Sequence, residues 1–291
     1  MTIRIVSTEQ GVDAVVTGPW SSADEDEFHD SEASGLVLNY ALGYQERSLD
    51  FLTGLSIKRL TVLARTTRDH GPIYELSPQL EELRLTTDPG LPLDLARLPH
   101  LKVLSADWRQ VSASLWAATR VEDAYFGSYS EETLEPLREM NELVRLSMKD
   151  RPGLRSLKGV SDLPSLSSFT VGGARALEDV SDLMSTEAPQ LTYLKLASCK
   201  NVRDLKGLAH QLSLSSFTFG DCGDLPSLSP LRGLERLERL FLHGSTRILD
   251  GDLQPLLDLP RLRELWMMNR REYEPSVKVI KSEIERRTAN S

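Results

Sequence analysis

Between Leu225 and Leu242 the chain reads LPSLSPLRGLERLERLFL, with leucine at 225, 228, 231, 234, 237 and 240, then at 242. No single regular element holds such a ladder on one side. On an α-helix a step of three residues turns the side chain by about 300°, so successive leucines drift around the cylinder. On a β-strand the same step puts neighbours on opposite faces. A chain that keeps turning corners, with one edge held inward, satisfies the spacing. The closing Leu-Phe-Leu changes to period two, which predicts a short strand with both leucines inward and Phe241 outward.

The ladder recurs. In LRSLKGVSDLPSLSSFTV apolar residues stand at 154, 157, 160, 163, 166, 169 and 171, and in DLQPLLDLPRLRELWM at 253, 256, 259, 262, 265 and 267. TLEPLREMNELVRLSM repeats it at 134, 137, 140, 143, 146 and 148. Hexamers of the form L-x-x-L-x-L begin at Ala33, Ile57, Leu80, Leu101, Val121, Leu143, Leu166, Leu191, Leu214, Leu237 and Leu262, at separations of 20 to 25 residues. Ala, Ile or Val stands for leucine in the first two and the fifth. Recurrence at this period marks an architecture whose units cannot bury their leucines alone and must stack.

On these residues the chain resembles the leucine-rich-repeat family, whose signature runs L-x-x-L-x-L-x-x-N/C. The three-residue ladder before each strand is similar to its short-repeat class, which takes in cytoplasmic phosphatase regulators and bacterial internalins. The resemblance covers residues 33–269, about ten or eleven repeats. It implies an α/β fold: a right-handed solenoid with a parallel sheet on its concave face and short helical or irregular segments on its convex face. The signature's Asn/Cys position departs from the family pattern. It holds Arg65, Asp88, Arg109, Tyr129, Arg151 and Ala174, and only Cys199 and Cys222 match. Irregular turns are therefore expected in place of an asparagine ladder.

Caps are expected at both ends, because end repeats would otherwise expose core. Residues 1–32 supply two β-prone runs joined through Gly11, which read as a hairpin, and a helix capped by Ser21 or Ser22. The acids at 24–27 would sit in that helix's first turn, where the dipole favours them, as a solvated face or an acidic patch for a basic partner. Residues 270–291 read as a C-terminal helical cap, with Val277, Ile280 and Ile284 on one face. Nothing marks a linker, so a single domain over 1–291 is expected.

The hydrophobic share of 40% suits a solenoid, which exposes more surface than a globule. A net charge of −9 argues against nucleic acid and against anionic membranes. No apolar run approaches the ~18 residues of a span, and MTIRIVSTEQ lacks the pattern of a signal peptide. The expectation is a soluble, cytoplasmic monomer. Cys199, His210 and Cys222 lack metal-ligand spacing, and both cysteines read as buried thiols. No metal, no cofactor and no catalytic residue is expected.

Two functional classes follow. The first is a non-catalytic module that binds a protein or peptide on the concave face, neutralising, recruiting or scaffolding one partner. The second is an enzyme, or the substrate-recognition subunit of one, that uses that face as a pocket. Asp107, Asp123, Lys149, Lys195 and His243 would argue for the second, with Asp107 and Asp123 as a carboxylate pair and Asp221 beside His243, but they match no catalytic spacing. Down the stack the outward central positions are Val37, Thr61, Arg84, Ser105, Tyr125, Ser147, Thr170, Lys195, Thr218, Phe241 and Trp266. Aromatic and Arg side chains dominate interface hot spots. One expected cluster is therefore Asp107, Trp108, Asp123 and Tyr125, flanked by Arg84 and Arg145. The other is Arg239, Phe241, His243 and Trp266. Between them lie Ser168, Thr170, Gly172, Ser216, Thr218 and Gly220, a flat polar floor from whose middle Tyr193 and Lys195 rise.

Overall fold

The computed structural model describes residues 2–289. Two compact units divide the chain, Met1–Gly127 and Ser128–Ser291. In the first, β1 (Ile3–Thr8) and β2 (Gly11–Val16) form an antiparallel hairpin, followed by helix α1 (Ser22–Asp30). Strands β3 (Gly35–Asn39), β4 (Arg59–Leu63), β5 (Glu82–Leu85), β6 (Val103–Asp107) and β7 (Asp123–Gly127) then add in chain order, each parallel to the last, beginning on β2. Helix α2 (Trp108–Val111) leaves the end of β6.

The second unit continues the pattern. It contains β8 (Arg145–Lys149), β9 (Ser168–Gly172), β10 (Tyr193–Ala197), β11 (Ser216–Gly220), β12 (Arg239–His243) and β13 (Glu264–Met267), again parallel and in chain order. Helix α3 (Gln254–Leu257) lies between β12 and β13, and α4 (Val277–Ala289) follows β13. Most other connections are single 3₁₀ turns. No helix among the described residues is long and apolar enough to cross a membrane.

Every repeat strand starts two residues after the origin of its hexamer, from Gly35 after Ala33 to Glu264 after Leu262. The ladder leucines are the core. Leu225, Leu228, Leu231, Leu234, Leu237 and Leu240 are all at zero exposure. The three-residue step is thus explained by corner-turning chain, with 3₁₀ turns such as Ser229–Leu231 supplying the corners.

Backbone hydrogen bonds do the work expected of an asparagine ladder. At the repeat-strand entries within each unit one carbonyl accepts two N–H groups from the next repeat. Lys58 O takes Glu81 N and Glu82 N, Thr192 O takes Ser215 N and Ser216 N, and Glu238 O takes Arg263 N and Glu264 N. At strand exits in the second unit a second ladder runs: Ser128 N to Lys149 O, Gly173 N to Ala197 O, Ser198 N to Gly220 O, and Asp221 N to His243 O.

The residues heading that second ladder sit at positive φ: Ser128 at 53°, Gly173 at 79°, Ser198 at 57° and Asp221 at 52°. A non-glycine residue there costs roughly 1–2 kcal/mol. The conformation inserts one extra residue before the chain turns inward, so the buried turn residue is Tyr129, Ala174, Cys199 or Cys222, the position expected from the signature. In β4, β5 and β6 no such residue follows the strand, and the inward residue comes one place earlier: Ala64, Thr87 and Trp108. After β8 there are two, Asp150 and Arg151, both at φ 62°, and the inward residue comes one place later, at Pro152.

Specific contacts hold the segments at the two ends of the chain. Asp24 of α1 is fully buried and accepts from the Ser21 and Thr2 backbone N–H groups and hydroxyls. Burial opposes its charge, but those hydrogen bonds prevail and hold its pKa below the usual carboxylate value. Helix α4 buries Val277, Ile280 and Ile284. Its Arg287 donates to the Leu257 and Leu259 carbonyls, at 2.8 and 3.1 Å, which ties α4 to the end of α3.

Candidate functional site

Strand alternation turns the leucines inward and leaves the residues between them on the open sheet face. Register then decides which of these meet. In the first unit Val37, Thr61, Arg84, Ser105 and Tyr125 form one row across β3 to β7, as the spacing predicts. A parallel row runs Gly35, Arg59, Glu82, Val103 and Asp123. Arg59 passes over Gly35 to reach Asp13 on β2 at 2.6 Å. A Cβ on Gly35 would stand 1.9 Å from the Asp13 carboxylate. Arg84 is held by Glu82 at 2.6 Å.

Two expectations for this unit are corrected. Trp108 is 3% exposed and does not reach the sheet face. Asp107 stays extended at φ −70° and caps α2, so the next residue folds inward, where the Trp108 ring meets Phe126 edge-on at 5.5 Å. Nor do Asp107 and Asp123 approach each other. Asp107 pairs with Gly127, whereas Asp123 pairs with Val103, four residues along β6. That separates them by about 13 Å. The Asp107 carboxylate takes Arg109, with Nε at 2.9 Å.

The second unit gathers more. Its central row is Ser147, Thr170, Lys195, Thr218, Phe241 and Trp266, again the predicted set. Strand β11 offers only Ser216, Thr218 and Gly220 to this face, and the flanking strands rise above it. Tyr193 and Lys195 stand on β10, with Arg239, Phe241 and His243 on β12. The result is a hollow of about 360 Å³, closed on the far side by Glu264. Gly220 lets the His243 imidazole lie over its Cα: a Cβ there would stand 2.1 Å from the ring and displace it. Trp266 is 60% exposed and donates its indole N–H to Glu264 at 3.1 Å. Lys195 and Arg239 make no ion pair among the described residues, so their charge is available to a ligand.

Comparisons with known proteins bear on the fold. Neither a protein-family profile nor a curated protein matches the chain. Among solved structures, an internalin from Listeria monocytogenes superposes with a TM-score of 0.60 at 22% identity, over 84% of this chain and 68% of its own. A leucine-rich-repeat protein from Leptospira interrogans superposes with a TM-score of 0.52 at 16% identity, over 86% of this chain and 58% of its own. The fold is a leucine-rich-repeat solenoid. The chain spans about two thirds of the first protein's length and less than two thirds of the second's.

Of the twelve residues expected on the solenoid's sheet face, Tyr193, Lys195, Arg239, Phe241 and His243 line one hollow. Trp266 stands beside Phe241 in register. Arg145 opens β8 and pairs with Ser168 on β9. Asp221 does not orient His243: its carboxylate faces the Ser245 backbone N–H at 3.2 Å. Cys199 and Cys222 are free, buried thiols at successive inward turns. The hydrogen bond with Cys199, and then burial, raise the Cys222 thiol's pKa, which keeps it protonated.

A second concavity was not anticipated. It lies where β8, β9 and β10 end, is about 850 Å³ in volume, and is lined by Gly172 and Gly173, by the cations Arg151, Arg175 and Lys200, and by Asp150, Ser198 and Asn201. The Gly-Gly pair after a strand was its only sequence signal. The cations recur one per turn, but their grouping depends on the irregular turn phases.

Proposed function

We propose that the sheet face of the second unit docks an extended segment of a protein partner, which the solenoid neutralises, recruits or scaffolds. The observation that carries this reading is the β10–β12 hollow. A small-residue trough lies between Tyr193 on β10 and Phe241 on β12, with the exposed Trp266 next to Phe241 on its far side, and Lys195 and Arg239 make no ion pair among the described residues. Wet aromatic surface beside unpaired cations is the composition of an interface hot spot. The trough width, two strand spacings or about 9.6 Å, admits one extended backbone.

The test is capture of the partner from a lysate of the producing cell, followed by titration with Phe241→Ala and Trp266→Ala. Each truncation is expected to weaken binding by about 1–4 kcal/mol with little change in melting temperature, since both side chains stand on the sheet face rather than in the core. Wild-type affinity in both variants would move the docking surface elsewhere.

A further inference from the structure

We infer that the concavity at the ends of β8, β9 and β10 is an oxyanion subsite that receives the acidic side chains of a bound peptide. This rests on the peptide-docking reading above and names the chemistry of what docks. Three observations carry it. First, Arg151, Arg175 and Lys200 are all exposed and none is ion-paired among the described residues, although the chain as a whole carries −9. Elsewhere in this unit Arg155, Lys158, Lys206 and Arg247 each hold a carboxylate. Second, Gly172 and Gly173 line the concavity without side chains, which leaves its volume of about 850 Å³ open between the cations. Third, the concavity adjoins the hollow through a single strand. Lys195 of β10 lines the hollow, and Ser198, three residues on, lines the concavity. That is about 10 Å, which three or four extended peptide residues span.

The backbone conformation explains the placement. Paired positive-φ residues at Asp150 and Arg151 delay the inward turn by one more residue than in the repeats that follow, and Arg151 takes an outward position at the rim. Asp150 lines the same concavity, so three cations there face one carboxylate, and the remaining excess of positive charge attracts carboxylate or phosphate.

The experiment is fluorescence polarisation with a dye-labelled hexaglutamate peptide, its hexaglutamine counterpart and a peptide of alternating phosphoserine and glycine. Hexaglutamate is expected to bind the wild-type protein at least tenfold more tightly than hexaglutamine at low salt, with the preference shrinking at 0.5 M salt. Arg175→Glu with Lys200→Glu, or the milder Arg175→Gln with Lys200→Gln, is expected to abolish it, while the control Lys278→Glu on α4 leaves it unchanged. Arg151 is left native because its backbone sits at φ 62°. Tighter binding of the phosphoserine peptide would assign the subsite to phosphorylated segments, and equal binding to Asp/Glu-rich ones. No preference in the wild type, or equal loss in the control, overturns the inference. If Phe241→Ala releases the captured partner while the charge reversals retain it at wild-type affinity, docking in the hollow stands and the oxyanion subsite falls.

Discussion

At the scale of single residues, the most consequential buried polar group is His70. It is 3% exposed, with Nε2 at 2.9 Å from Thr87 Oγ1 and Nδ1 at 3.2 Å from the Pro92 carbonyl. Gln110 Nε2 also reaches Thr87 Oγ1, at 2.8 Å. Burial lowers the imidazole's pKa against the opposing pull of the Pro92 carbonyl and the Asp69 charge. Its folded value therefore lies below the ordinary value of about 6.5, and the unfolded chain binds the proton more readily. Stability from neutral His70 is complete above pH about 6.5 and is lost as pH falls toward the lowered folded value. The urea midpoint should drop further between pH 7.5 and 5.5 for the wild type than for His70→Gln. Parallel losses would remove His70 as the source. His70 carries no sequence signal, because a lone histidine in a turn shows neither its burial nor its partners.

At the scale of elements, the strands were legible and the turns were not. Strand register follows from the leucine hexamers because inward apolar residues at period two admit no slip. The outward rows from Val37 to Tyr125 and from Ser147 to Trp266 follow with it. Turn phase depends on how many residues adopt positive φ, and Ser128, Asp150, Ser198 and Asp221 do so without being glycine. That is why Trp108 lies in the core although hexamer spacing puts it on the surface, and why spacing alone does not reveal the concavity around Gly172-Gly173. Helix α4 invites a direct test. Arg287 joins it to the Leu257 and Leu259 carbonyls, and Glu283 braces both Arg286 and Arg287 at 2.8 Å. Arg286 and then Arg287 hold the Glu283 carboxyl at a pKa of about 2, so this brace is complete above its ordinary value and fails only as pH falls toward 2. Arg287→Ala removes the donor to the Leu257 carbonyl and leaves the Leu259 carbonyl only the Leu262 N–H at 3.5 Å, and it should destabilise the second unit by about 1–3 kcal/mol. The check is chemical denaturation at neutral pH, and an unchanged midpoint would show that apolar contacts alone seat the helix.

At the scale of the molecule, stability in a stacked array comes from each repeat's contacts with its two neighbours. Leu240→Asp places a charge at a fully buried ladder position, and losing that leucine alone costs about 2–5 kcal/mol. The variant should lose native circular dichroism through the second unit at least, and a wild-type melt would contradict the stacked core. The strand-exit ladder adds a consequence of a different kind. Each of the Ser128, Gly173, Ser198 and Asp221 amides is bonded to the carbonyl of the repeat that follows it. Its protection against deuterium uptake therefore depends on whether its successor is still seated. If the unit peels from the α4 end, those four amides become a tape measure: Asp221 should label first, then Ser198, Gly173 and Ser128. The exchange order of one sparse set of protons would then record the direction in which the chain comes apart.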